Sequence, residues 1–124
     1  MGATSNRKIG LEFRKIVVGE DVTFKALLAV SSSYNDGTTA AHEWVDLTDT
    51  YDTVDDLRAA AGKKWSALLS LIQELPSTEA GFAAAKAAVD ALFGVGKADD
   101  IDALDDAQGV WQALEAYARA GCVL

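Results

Sequence analysis

Ile9-Gly10-Leu11-Glu12-Phe13-Arg14-Lys15-Ile16-Val17 is the stretch on which the fold turns. Its odd positions hold Ile9, Leu11, Phe13, Lys15 and Val17, and a period of two with β-branched and aromatic content predicts a strand. Gly19, Glu20 and Asp21 form a turn after it. Val22, Phe24, Ala26, Leu28 and Val30 then repeat the alternation, with Thr23, Lys25 and Leu27 on the other face, up to Ser31, Ser32 and Ser33. Phe24, Leu27 and Leu28 also sit at helical spacing behind an Asp21 cap, so residues 22–30 have a second reading as a short helix. Tyr34-Asn35-Asp36-Gly37 is the strongest turn signal in the chain, because Asn, Asp and Gly tolerate the positive φ of tight hairpins. A third strand over Thr39 to Leu47 pairs back on the second. The first half thus reads as a three-stranded antiparallel meander.

The second half changes period. Val54, Leu57, Ala61, Trp65, Leu68, Ile72 and Leu75 recur at steps of three and four, one stripe of a helix. Thr53 and Asp56 resemble a capping box at its start, and Pro76 stops it. A second helix spans about Thr78 to Phe93, with Phe82, Ala85, Val89, Leu92 and Phe93 on its stripe and many alanines that let a neighbour approach closely. A third starts near Asp99 or Asp100 and ends near Gly121, with Ile101, Leu104, Trp111, Leu114 and Ala118 inward and Val110 and Tyr117 beside them. The expected fold class is α+β: an N-terminal meander followed by three amphipathic helices packed on one face of the sheet. Residues 1–8 read as an N-terminal arm and residues 9–124 as a single domain.

The 124 residues, half of them hydrophobic, suit one globular domain, and no apolar run reaches the ~18 residues of a membrane span. The net charge of -8 is unevenly spread. Residues 26–57 hold no Lys or Arg and seven carboxylates, and residues 98–124 hold six carboxylates against Arg119 alone. That balance opposes direct nucleic-acid binding, which needs clustered cations. A single cysteine, Cys122, forms no intrachain disulfide, and Met1 to Gly10 lacks the apolar core of a secretory signal. The expected location is intracellular, including a particle assembled in the cytoplasm.

Gly94-Val95-Gly96-Lys97 fails as a phosphate loop, because Ala91 and Ala98 stand where a Gly and a Ser or Thr are required, and a helix precedes it. The series Asp46, Asp49, Asp52, Asp55, Asp56 and Asp99, Asp100, Asp102, Asp105, Asp106 miss the calcium-loop spacing and straddle predicted helix starts, where carboxylates cap backbone N–H groups. His42 is the sole histidine. With Glu43 and Ser31 to Ser33 it could form a hydrolytic set only if a closed pocket and an orienting acid existed, so it reads as a surface strand residue. Cys122 has no basic neighbour nearer than Arg119 and reads as an apolar contact. No catalytic residue, cofactor site or metal site is expected. Trp65 and Trp111 belong to helix stripes. Trp44 shares a strand face with His42 and Asp46, and a tryptophan on a polar surface is the leading candidate for a contact covered by a partner.

These features point to protein–protein contact. Arg7, Lys8, Arg14 and Lys15 are complementary to the acidic run of Asp46, Asp49 and Asp52, and two different patches that attract on one chain assemble head to tail into rings or filaments. The expected function is a non-enzymatic structural or interaction subunit of a larger symmetric assembly, of the kind found in bacteriophage heads and tails, whose partners are copies of itself or other subunits. The alternative is an acidic inhibitor or regulator whose carboxylates imitate a phosphate backbone and bind a DNA-binding protein.

Overall fold

A computed structural model describes residues 4–34, 41–104 and 106–121. The predicted Asn35-Asp36-Gly37 turn, the start of the third strand at Thr39, Asp105 and Cys122 lie outside the described residues. Strands β1 (Thr4–Val18), β2 (Asp21–Tyr34) and β3 (Ala41–Asp46) form an antiparallel sheet of order β1-β2-β3. The hairpin turns on Gly19 and Glu20, with Val18 opposite Asp21 and Gly19 at φ +62°. That sign at the first central position alone is the pattern of a type II′ turn, which follows the native strand twist and favours glycine there.

The two readings of residues 22–30 resolve as strand. β2 is the middle strand, so its backbone is hydrogen-bonded on both sides, and Leu27 and Leu28 fall on opposite faces, where both are buried. Local helical spacing offers nothing comparable. β1 begins at Thr4, inside the expected arm, and its residues Asn6, Arg7 and Lys8 pair with Ser33, Ser32 and Ser31. The described part of the expected arm is strand. β3 ends one residue before the expected Leu47, although the chain stays beside β2. Leu47 donates to the Ala26 carbonyl at 2.9 Å, the Ala26 N–H donates to Thr48 Oγ1 at 3.0 Å, and Phe24 and Tyr51 exchange backbone bonds at 2.8 and 2.7 Å.

The helical half departs from three plain helices. α1 (Val54–Leu57) runs without interruption through a π-helical segment, Arg58–Gly62, into α2 (Lys63–Ile72). Thr53 caps it by accepting from the Asp56 N–H at 3.1 Å. The wide π turn re-phases the apolar stripe. Leu57 and Ala61 join Ala26 in a small cluster against Phe13, Phe24 and Tyr51, whereas Trp65, Leu68 and Ile72 enter the main core.

α3 (Glu79–Phe93) starts near the expected Thr78, whose side chain caps it by accepting from the Gly81 N–H at 3.3 Å, and ends at Gly94, whose φ of +127° stops the helix. The expected third helix is two: α4 (Lys97–Asp102) and α5 (Ala107–Gly121). Asp106 interrupts them at φ +49°, and the Asp102 carboxylate accepts the indole N–H of Trp111 at 2.7 Å, which folds the two segments onto each other. Trp65, Val89, Ile101, Val110, Trp111 and Leu114 are buried with Ile9, Leu28, Val30, Val45 and Leu47 of the sheet. α5 packs on β1, α1 on β2 and α4 on β3, so the helices cover one face. The architecture is α+β.

Candidate functional site

Strand alternation sends Ile9, Leu11, Phe13, Ala26, Leu28, Val30 and Val45 to the helices. Among the described residues the other face stays open, and the register arranges it in cross-strand rows: Lys8, Ser31 and His42; Gly10, Ala29 and Trp44; Glu12, Leu27 and Asp46; then Arg14 and Lys25.

Trp44 is 45% exposed, yet its ring is held. The Arg14 guanidinium lies 4.9 Å from the indole centroid, and the His42 ring stacks at 6.2 Å with an interplanar angle of 16°. Arg14 is on β1 and Trp44 on β3, so their contact spans the strand between. The diagonal from one to the other crosses β2 at Leu27, and this bridge explains a residue that is otherwise out of place. Leu27 belongs to the open face and to neither core cluster, but is only 2% exposed. A cation and an indole thus roof an aliphatic side chain. Around them, Arg14 donates to Glu12 at 2.7 Å and Lys25 to Asp46 at 2.7 Å. These exposed pairs orient the roof more than they stabilise it.

Beside the roof lies a hollow. Lys8, Gly10, Glu12, Ala29, Ser31, His42 and Trp44 line a groove of about 320 Å³, and its floor is low because Gly10 and Ala29 carry no side chain beyond Cβ. A Cβ placed on Gly10 would meet nothing within 4 Å.

Of the expected contact residues, the structure brings Lys8, Arg14, Trp44 and Asp46 to this one face. Lys15 alternates to the opposite face of β1, opposite Phe24, and Arg7 stands in the ladder opposite Ser32. Asp49 and Asp52 lie exposed on the segment between β3 and α1. Arg14 and Asp46 each have a partner of opposite charge within the chain, Glu12 and Lys25. Glu12, Lys25, Leu27, Gly10 and Ala29 were missed. Their signal was the two-residue hairpin turn, which alone sets which residues of β1 and β2 share a row.

Ser31 is the cross-strand partner of His42 and shares its groove. An acid to orient the imidazole is misplaced: Glu43 alternates to the other face, and Glu12 lies two rows away, about 13 Å along the strand. Elsewhere, the crevice between Pro76, Phe82 and Trp111 has room for about 10 Å³, a single water. Among the described residues, no three His, Cys, Asp or Glu side chains converge on a point where a metal ion could sit, and no helix is long and apolar enough to cross a membrane. Asp55 pairs with Arg58, Asp102 with Trp111 and Lys86, and Asp90 accepts from the Ala98 N–H at the start of α4. No family model matches the chain, and neither a curated protein nor a solved structure is significantly similar to it.

Proposed function

We propose that this protein is a non-enzymatic interaction subunit that associates with other protein molecules, its own copies among them, in a larger symmetric assembly such as a bacteriophage head or tail, and that it does so through the open face of its sheet. One observation carries the reading: Trp44, an amphipathic ring of large contact area, is presented on an uncovered sheet face and locked there by Arg14 and His42. An anchor ordered before binding loses little side-chain entropy on contact, and Trp with Arg is the pair most enriched where binding energy concentrates. The charged pairs around it form a polar rim. The expected route by a free basic arm has less support, because Thr4 and Asn6 to Lys8 are already paired in the hairpin.

Sedimentation velocity on the purified chain from about 10 μM to about 1 mM tests the reading, a range that spans weak association. Species larger than the monomer, growing with concentration, are the expected result. A monomer throughout the range refutes self-association.

A further inference from the structure

We propose that the open face is self-complementary and that its occupant is a second copy of this chain, related by a twofold axis along the row of Gly10, Ala29 and Trp44; the inference rests on the reading of the protein as a self-associating subunit. An axis of this kind lies midway between two facing sheets. It keeps β1 over β1 and β3 over β3 and reverses the strand direction, so a row on one side of the axis faces the row on the other side.

Polar groups then match on both sides of the axis, Lys8 facing Glu12 by charge and His42 facing Asp46 as an imidazole N–H donor facing a carboxylate, each carboxylate also holding Arg14 or Lys25 of its own chain. Lys8, Ser31 and His42 of one copy face Glu12, Leu27 and Asp46 of the second. Lys8 meets Glu12 and His42 meets Asp46, and symmetry makes each pairing twice. Moving the axis by one row sets Glu12 against Glu12 in one direction and Lys8 against Lys8 in the other. Electrostatic complementarity of this kind selects register more than it adds affinity.

The relief matches as well. The Arg14 guanidinium lies 4.9 Å from the indole centroid, so the ridge the two form crosses the Leu27 side of the axis. The hollow over Gly10, Ala29 and Ser31 is deepest between Lys8 and His42 on the other side and reaches Glu12 across the axis. Reversal of direction drops the ridge of each copy into the hollow of its mate, as interdigitating sheet faces about 10 Å apart require. Three short rows bury less than the ~800 Å² per partner of a standard stable complex, so a single contact is weak, with a Kd of about 10 μM or more, and holds firmly only where many copies act together.

The test is sedimentation equilibrium up to about 1 mM on four samples, a range set by the expected weak affinity: the wild type, Lys8→Glu, Glu12→Lys, and an equimolar mixture of the two variants. Each variant presents one sign of charge at positions 8 and 12, on both sides of the axis, so it repels its own copies and attracts the other variant. The expected result is a reversible wild-type dimer, self-association at least about tenfold weaker in each variant alone, and recovery to near the wild-type Kd in the mixture. The recovery also shows that both variants are folded. Association unchanged by either substitution, or a mixture no tighter than its components, overturns the twofold contact and leaves the broader reading standing. A strictly monomeric wild type overturns both.

Discussion

Replacing Leu27 by Ala tests whether the open face is solvated or roofed. By alternation Leu27 lies on the side away from the helices, and a solvent-facing leucine truncated to alanine changes stability by no more than about 0.5 kcal/mol. The structure demands more. Leu27 is 2% exposed, and buried Leu→Ala substitutions cost about 2 to 5 kcal/mol, depending on how far the surroundings collapse into the space left. Its cover is two side chains, not a packed helix, so the indole and guanidinium can settle inward. The low end, about 2 kcal/mol, is therefore expected. Leu71, 49% exposed on α2, is the internal control, and its alanine variant should stay near wild type. Urea unfolding followed by far-ultraviolet circular dichroism gives both values. A double-mutant cycle with Arg14→Ala isolates the roof: with the guanidinium gone, Leu27→Ala should cost measurably less. A loss below about 0.5 kcal/mol for Leu27→Ala, equal to that of Leu71→Ala, would refute the claim that Arg14 and Trp44 close over it.

Two further substitutions probe the frame that holds this face. Gly81→Ala should raise helix propensity by about 1 kcal/mol in isolation, yet a Cβ there would overlap the Pro76 carbonyl oxygen, so the backbone must move and a net loss of about 1 to 3 kcal/mol is expected. Equal or greater stability of this variant in urea would contradict the close approach. Thr48→Val keeps the side-chain shape but removes the acceptor of the buried Ala26 N–H. A loss of about 1 to 3 kcal/mol and faster amide exchange at Ala26 should follow, and Thr48→Ser should restore both.

The alternation around Phe13 was enough to read β1, and the same period carried β2 once pairing on both sides settled its competition with a helix. Periodicity is local, and local signals survive without knowledge of the rest of the chain. The helix cap at Thr53 was legible for the same reason: a side chain and the backbone N–H it accepts from are three residues apart. The π segment at Arg58–Gly62 was not, because its residues keep ordinary helical spacing and only packing against Ala26 and the core shows the change of phase. Nor was the break at Asp106, where the indole of Trp111 reaching the Asp102 carboxylate competes with a continuous helix. Helical potential is a property of a segment, but where a helix divides depends on what its side chains find across the fold.

The face around Trp44 shows the same division. Composition and pattern alone determined that this tryptophan shares a strand side with His42 and Asp46, since alternation needs no partner strand. Only the tertiary structure decided that Arg14 would arrive over its ring, that Leu27 would lie beneath, and that Gly10 and Ala29 would leave a hollow beside it. Those relations are set by register between strands, and register depends on a turn and on the burial of an entire opposite face. A shift of one residue would have exchanged the two sides of the sheet.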